Sequence, residues 1–278
     1  MKIPVVDYHD PTYHLQLDEA FRTVGFCYMK TDLKVDEILE YAKYFFDLPL
    51  TTKNQLAYTS TEHNTGYQGM TESLTPGTPP DLKEAFNWCE YGSNTWLDEK
   101  HKMMCEYWCV SLLGWTNQVL HAIEQALGLK EFSLIRQHLE SKSTTTRMLH
   151  YPPWNGEIEK NQMRGGAHTD YGTVTLLFTD GNPGLQIKPR GSDEWIDAPH
   201  IRDTFLINVG DLLQRWTNDR YMSTPHRVVN QYLNHSRYSF AHFVHPKDEI
   251  IVDTLVGESK YEPIGAKDYL VWRLNQSY

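Results

Sequence analysis

The 278-residue sequence lacks several features that mark whole classes of protein. No apolar run approaches the roughly 20 residues that a membrane-spanning helix needs, so we expect no transmembrane segment. Positive charge is in deficit, because 26 Lys and Arg stand against 36 Asp and Glu and give a formal net charge of −10. We therefore expect neither nucleic acid nor a membrane surface to be a partner.

Cysteine is scarce as well, and its four residues form no CxxC pair. In a chain of this size they do not make a disulfide framework, so we interpret them as buried thiols in a reducing compartment. The N-terminal segment contains Pro4 and Asp7, so it does not resemble the apolar core of a signal peptide. We therefore predict a cytoplasmic protein.

The spacing of apolar residues divides the chain near residue 140. Before that point they recur every three or four positions, and the longest stripe runs from Trp108 to Leu127 and stops at Gly128, as in an amphipathic helix. After it, segments of period two alternate with turns rich in Gly, Pro, Asn and Asp. These segments predict strands at 144–151, 173–178, 185–188, 204–209, 226–229 and 237–244.

The pattern predicts an α+β fold, with N-terminal helices flanking a β-barrel or β-sandwich core. We expect one compact unit with an N-terminal helical and substrate-loop region (1–140), a β core (141–246) and a C-terminal segment over the barrel (247–278). Residues 59–81 are expected to form an ordered loop or short strands, and 81–86 a loop or a strand.

A metal site is indicated by His168-Thr169-Asp170 within the β region. Residues i and i+2 of an extended chain face the same side, so the imidazole and the carboxylate can reach one ion. His226 follows Asp170 by 56 residues and begins another predicted strand. Two histidines and one carboxylate form the facial triad that leaves positions open on a non-haem Fe(II).

A carboxylate clamp is indicated by Arg237-Tyr238-Ser239. Arg237 and Ser239 share one face of a predicted strand, and a guanidinium beside a hydroxyl suits bidentate, charge-assisted hydrogen bonds to a carboxylate. Phe243 is in phase with this pair and is a candidate to line the site, whereas His242 is out of phase. We interpret His150, His200 and His245 as structural.

Several motifs, in order along the chain, together resemble the isopenicillin N synthase-like family of Fe(II)- and 2-oxoglutarate-dependent oxygenases. The similarity covers nearly the whole chain, including Ile3-Pro4-Val5-Val6-Asp7 and Phe45-Phe46-Asp47-Leu48-Pro49 in the N-terminal part. In the β region the matching motifs are His168-Thr169-Asp170-Tyr171-Gly172, Asn208-Val209-Gly210-Asp211, Trp216-Thr217-Asn218, His226-Arg227-Val228 and Arg237-Tyr238-Ser239.

The resemblance implies a double-stranded β-helix (jelly-roll) core, with His168, Asp170 and His226 as iron ligands. It implies that Arg237, Ser239 and Tyr151 bind 2-oxoglutarate, although Leu149 stands where plant members often have Asn. The implied reaction oxidises an unactivated C–H bond of a small metabolite by hydroxylation, desaturation or cyclisation. It consumes O2 and 2-oxoglutarate and releases succinate and CO2, with ascorbate as a candidate reductant.

The substrate-contacting residues are predicted less directly. Arg147 matches a position where some bacterial relatives have an arginine that contacts substrate, and a surface charge on a strand is the alternative. Tyr67 lies in the region where relatives place substrate-facing side chains, and aromatic packing is the alternative there. The sequence specifies neither the substrate nor the oligomeric state.

Three other functions remain open at the level of sequence. An oxidase of the same family that needs no 2-oxoglutarate would keep the triad and the Arg-x-Ser pair. A zinc hydrolase also uses two His and one carboxylate, but no HExxH helix is present to supply a general base. A non-catalytic jelly-roll binding protein would leave an inward-facing arginine unexplained.

Overall fold

The computed structural model describes residues 2–58 and 60–277. Its α-helices are α1 (Tyr13–Thr23), α2 (Asp36–Phe46), α3 (Leu50–Lys53), α4 (Glu99–Leu127), α5 (Asp211–Trp216) and α6 (Ala266–Leu274). Its strands are β1 (Val5–Val6), β2 (Phe26–Lys30), β3 (Gly66–Gln68), β4 (Glu84–Cys89), β5 (Thr145–Tyr151), β6 (Gly165–His168), β7 (Val174–Thr179), β8 (Leu185–Ile187), β9 (Ile196–Asp197), β10 (Thr204–Val209), β11 (His226–Val228), β12 (Arg237–Val244), β13 (Ile251–Val252) and β14 (Ile264–Gly265).

Two sheets form the predicted jelly roll. The large sheet has the order β1-β2-β10-β7-β12-β5-β4-β3, and the small sheet has the order β6-β11-β8-β9. Leu149 and Ala241 of the large sheet pack in one buried cluster with Leu185, Ile187 and Val228 of the small sheet. The two sheets therefore face each other, and the functional site lies between them.

The other face of the large sheet is covered by helix α4. Trp108 of this helix packs edge-on against Phe240 of β12, with ring centroids 5.7 Å apart. The helix begins where the Asp98 side chain accepts a hydrogen bond from the His101 backbone N–H, and it ends at Gly128, whose φ of 66° is left-handed. The predicted amphipathic helix is thus confirmed, with its apolar stripe buried against the sheet.

All six predicted strands are present as β5, β7, β8, β10, β11 and β12, with ends within about one residue of the prediction. The N-terminal part contributes more β-structure than its helical spacing indicated. Strand β2 pairs with β10, and β4 pairs with β5, so the large sheet crosses the expected boundary at residue 140. In the 59–81 segment, of which residue 59 lies outside the described residues, the short strand β3 appears, and the segment 81–86 leads into β4.

Strand β2 escapes a period-two search because both of its faces are buried. Cys27 and Met29 belong to the cluster on the helical side, whereas Phe26 and Tyr28 belong to the cluster between the sheets. A strand buried on both sides is apolar throughout and shows no alternation of polar and apolar residues.

The C-terminal helix α6 closes one side of the space between the sheets. Leu270 and Leu274 line that space, while Tyr269 Oη and Arg273 Nη1 both donate to Asp211 Oδ2. The guanidinium of Arg273 also lies 4.3 Å from the centre of the Tyr171 ring. Helix α6 is therefore tied both to the start of α5 and to the loop that follows β6.

No helix within residues 2–58 and 60–277 combines the length and the apolar character needed to cross a bilayer. The four cysteines are free and buried, as predicted. Burial raises the pKa of each thiol above its ordinary value, so these residues are inert packing groups.

Candidate active site

A cavity lies between the two sheets and is lined by residues of both. The register of β12 against β5 gives it two ends, because Arg237 pairs with Tyr151 at one end and Phe243 pairs with Thr145 towards the other. Alternate residues of both strands face inward. Arg237, Ser239 and Phe243 line the cavity as their common phase predicted.

Three predicted ligands converge on the cavity wall. His168 ends β6 and lies directly opposite His226, which begins β11. Asp170 follows β6 in the chain, and its Oδ1 lies 3.8 Å from His168 Nε2 and 3.7 Å from His226 Nε2. One ligand atom from each residue lies within 4.8 Å of the others. The three atoms are close enough to hold one metal ion.

Hydrogen bonds fix which atoms the two imidazoles present. His168 Nδ1 lies 2.8 Å from the Gly166 carbonyl oxygen, and His226 Nδ1 lies 3.2 Å from that of Thr224. A carbonyl oxygen only accepts, so each Nδ1 carries the proton and each Nε2 keeps a lone pair. Burial, reinforced by the adjacent His226, lowers the pKa of His168 and favours this neutral form.

The carboxylate of Asp170 is oriented in the same way. Its Oδ2 accepts from Thr175 Oγ1 at 2.6 Å and from Asn208 Nδ2 at 2.7 Å, which leaves Oδ1 beside the imidazoles. Burial favours the neutral acid, but the two histidines and these hydrogen bonds outweigh it, and the pKa of Asp170 lies below its ordinary value. Asn208 stood in a recognised motif, whereas the role of Thr175 had no signal in the sequence.

The donor set fits the predicted metal. Two neutral imidazoles and one carboxylate on adjacent chain segments are the ligands of non-haem Fe(II) sites, and they leave coordination positions for small molecules. Hydrogen bonds to the other atoms of these side chains hold the three ligand atoms towards one point, which reduces the reorganisation that metal binding requires.

Arg237 supplies the second half of the site. It is 2% exposed, its Nη1 lies 3.4 Å from Ser239 Oγ, and its guanidinium lies 5.0 Å from the centre of the Tyr151 ring. Within the described residues its Nε has no hydrogen-bond partner and no carboxylate forms an ion pair with it. A buried cation without an acid costs free energy, so this end of the cavity is built for an anion.

Comparison with known proteins agrees with this geometry. The sequence model described as the 2OG-Fe(II) oxygenase superfamily matches residues 143–246, and the model described as the non-haem dioxygenase in morphine synthesis N-terminal matches residues 3–111. The chain belongs to the 2OG-Fe(II) oxygenase superfamily. This 2OG-Fe(II) oxygenase is an oxidoreductase with Fe(II) and 2-oxoglutarate as cofactor and cosubstrate, which sets aside the zinc-hydrolase and binding-protein interpretations.

The oxygenase is similar over most of its length to curated fungal proteins and to a solved structure. It is 32% identical to the 2-oxoglutarate-Fe(II) type oxidoreductase hxnY of Emericella nidulans over 87% of this chain and 76% of that protein. It is 31% identical to the 2-oxoglutarate-dependent dioxygenase gloF of Glarea lozoyensis, with 100% of each covered. A full-length Neurospora crassa protein solved in complex with alpha-KG and thymine superposes with a TM-score of 0.86 at 30% identity, covering 99% of this chain and 97% of that one.

Arg147 lines the cavity and is part of a buried ion-pair network. Its Nη2 lies 2.6 Å from Glu72 Oε2 and 2.7 Å from Gln68 Oε1. Lys83 lies 2.9 Å from both Glu72 and Asp81. Burial alone would raise the pKa of Glu72, but Arg147 and Lys83 lower it far below its ordinary value. No signal in the sequence marked this network, because its acids lie in the irregular segment before β4.

The structure corrects the expectation that Tyr67 contacts substrate. Its hydroxyl donates to Glu84 Oε2 at 2.6 Å, and Glu84 also binds Lys53 and His150. Tyr67 is absent from the cavity wall and belongs to this buried polar cluster instead. The reason is the alternation along β3, where the neighbouring strand β4 directs Glu84 to the same side.

Among His150, His200, His242 and His245, only His245 lines the cavity. His242 bonds to Thr146 Oγ1 on the face of β12 away from the cavity, as its phase predicted, and His200 is exposed. His150 is held by Glu84 and Ser236. His245 differs from the structural interpretation, because it lines the cavity.

Proposed function

We propose that His168, Asp170 and His226 hold Fe(II) and that Arg237, Ser239 and Tyr151 hold 2-oxoglutarate in this oxygenase. The observation that carries the assignment is the presence, in one cavity, of a converging triad and a buried arginine without an acid partner among the described residues. With both groups bound, iron and 2-oxoglutarate supply O2 activation, coupled to decarboxylation of 2-oxoglutarate to succinate and CO2.

The protein's part in this reaction is positioning. Arg237 and Ser239 bind the carboxylate of 2-oxoglutarate that lies farther from the metal, since both reach the cavity at the end marked by Tyr151. Leu149, Leu185 and Val228 pack in one buried cluster with Tyr151, and these apolar side chains keep water from competing for the guanidinium.

The substrate lies towards the other end of the cavity. Along β5 the inward-facing residues run from Tyr151 through Leu149 and Arg147 to Thr145, so 2-oxoglutarate and substrate occupy successive stretches of one groove. Phe243 lines the cavity opposite Thr145 and limits where a substrate C–H bond can be placed.

The free, buried cysteines support a reducing, cytoplasmic location for the enzyme.

The metal assignment is tested by equilibrium binding of Fe(II) under anaerobic conditions. His168→Ala and His226→Ala should each lose tight Fe(II) binding and all 2-oxoglutarate turnover while keeping the circular dichroism spectrum of the folded protein. His200→Ala removes an exposed histidine and serves as the matched control. Wild-type Fe(II) affinity in either triad variant would contradict the assignment.

A further inference from the structure

Four side chains, Asn64, Asn87, Thr145 and His245, line the cavity away from Arg237 and are called the polar end. Asn87 and His245 are each 2% exposed. Within the described residues, Asn87 Oδ1 and His245 Nε2 have no hydrogen-bond partner. Buried polar atoms are rarely left unpaired in folded proteins, so these two atoms point to a ligand.

A chain of hydrogen bonds fixes the Asn87 amide so that its oxygen is the unpaired atom. Thr145 Oγ1 donates to the Ser143 carbonyl oxygen at 3.3 Å, and it therefore accepts from Asn64 Nδ2 at 3.2 Å. Asn64 Oδ1 is then the acceptor for Asn87 Nδ2, also at 3.2 Å. The order of donors along this chain leaves Asn87 Oδ1 as an acceptor for the ligand.

His245 presents an acceptor for a similar reason. Its Nδ1 lies 3.1 Å from the Pro246 carbonyl oxygen, so Nδ1 carries the ring proton and Nε2 has a lone pair. Burial lowers the pKa of His245 to about 4, and the ring is neutral at physiological pH. Both unpaired atoms of the polar end therefore accept hydrogen bonds and carry no charge.

The cavity wall next to the polar end carries one positively charged and one negatively charged side chain. Arg147 lies 2.6 Å from Glu72, and both residues line the cavity. An anionic substrate near Arg147 would meet the carboxylate of Glu72, and a cationic substrate near Glu72 would meet the guanidinium. This pairing disfavours a substrate with a net charge.

We propose that the substrate is an uncharged cyclic imide or amide that donates hydrogen bonds to Asn87 Oδ1 and His245 Nε2. This inference rests on the proposed function, because it places the substrate in the cavity that holds iron and 2-oxoglutarate. Asn87 and His245 then select for donor groups, since an analogue without them leaves two buried acceptors unpaired.

The test measures binding of four probes by calorimetry to the anaerobic enzyme loaded with Fe(II) and 2-oxoglutarate. Thymine and hydantoin are uncharged cyclic imides with two N–H donors and different ring sizes. The 1,3-dimethyl derivative of thymine lacks both donors, and the 6-carboxy derivative of thymine is anionic. We expect both imides to bind, and we expect the dimethyl and carboxy derivatives to bind at least about tenfold more weakly than thymine.

Two variants assign the selectivity to the proposed residues. Asn87→Leu and His245→Phe keep the approximate shape of each side chain but remove its acceptor, so each should reduce the preference for thymine over the dimethyl derivative about tenfold. Asn182→Leu and His200→Phe change exposed residues and should keep the wild-type preference. The visible charge-transfer band of iron-bound 2-oxoglutarate reports whether each variant retains its metal and cosubstrate sites.

The outcomes separate this inference from the proposed function. If wild-type enzyme forms no charge-transfer band, the proposed function fails. If the band forms but neither imide binds, or the dimethyl or carboxy derivative binds as tightly as thymine, the inference on substrate class is wrong. If a variant does not fold, the selectivity of the wild-type enzyme among the four probes still decides the substrate class. If both variants fold and keep the wild-type preference for thymine over the dimethyl derivative, the roles of Asn87 and His245 are wrong.

Discussion

Replacing Arg237 with methionine separates the energetic roles of this residue in the free and the loaded enzyme. Methionine replaces the aliphatic part of the arginine side chain but has neither charge nor donors, and Arg237 is 2% exposed and has no acid partner within the described residues. The substitution therefore removes a buried, uncompensated charge from the free protein. We expect Arg237→Met to leave the free energy of unfolding of the protein without 2-oxoglutarate unchanged or higher.

The loaded enzyme should respond in the opposite way. Losing a buried charge partner costs about 2–5 kcal/mol of binding free energy, which weakens 2-oxoglutarate binding about 30-fold to 5,000-fold. At a 2-oxoglutarate concentration of about 100 times the wild-type Kd, the ligand stabilises the wild-type enzyme by about 2.7 kcal/mol. The same concentration should stabilise Arg237→Met by less than about 1 kcal/mol.

The assay is urea denaturation of the anaerobic Fe(II) enzyme with and without 2-oxoglutarate. Arg202→Met is the matched control, because the Arg202 side chain is exposed and should show the full ligand stabilisation. Wild-type stabilisation of Arg237→Met by 2-oxoglutarate would refute the reasoning. A large loss of stability in the variant without ligand would also contradict it, because the charge would then be compensated in the free protein.

Three further predictions concern the surroundings of the site. Glu72→Gln should lower the free energy of unfolding, measured in urea, by about 3–5 kcal/mol, because the substitution leaves Arg147 and Lys83 buried without their shared carboxylate. Glu62→Gln changes an exposed residue and should not have this effect. Because the pKa of Glu72 is depressed, its carboxylate contributes to the free energy of unfolding above the ordinary carboxyl pKa, and this contribution is lost as the pH falls below that value. A free energy of unfolding that does not change over this acidic range would contradict the prediction. Burial lowers the pKa of His101 to about 4, so the protein loses stability as the pH falls from about 6.5 to 4. His101→Phe should reduce this loss by up to about 1.4 kcal/mol per pH unit, as measured by denaturation at each pH. Arg273→Gln should speed amide hydrogen exchange in α6, and unchanged protection there would show that the contact with Asp211 does not hold the helix.

The sequence was most informative where function depends on local spacing. His168 and Asp170 are two residues apart, and Arg237 and Ser239 repeat that spacing on a strand, so the backbone alone brings each pair to one side. His226 required only that a later strand return beside β6, which the regular succession of strands indicated. These positions can therefore be predicted from the sequence alone.

The remaining features depend on contacts between distant segments. Glu72 pairs with Arg147 across 75 residues, and Asn64 bonds to Thr145 across 81 residues, so neither partner is marked by local spacing. The region of Tyr67 predicts either a substrate contact or aromatic packing, whereas the direction of its side chain is set by the pairing of β3 with β4. His245 follows β12 immediately and has no motif, and only the packed structure brings it to the cavity wall.

The central claim, that one cavity holds Fe(II) and 2-oxoglutarate through these residues, is tested most directly by an anaerobic visible absorption titration. Fe(II) is added to the metal-free protein and then 2-oxoglutarate, while the charge-transfer band of the iron-bound cosubstrate is followed. We predict a saturable band in the wild-type enzyme that is lost in Arg237→Met at limiting 2-oxoglutarate. Bound iron without any band, or a band unaffected by Arg237→Met, would contradict the account.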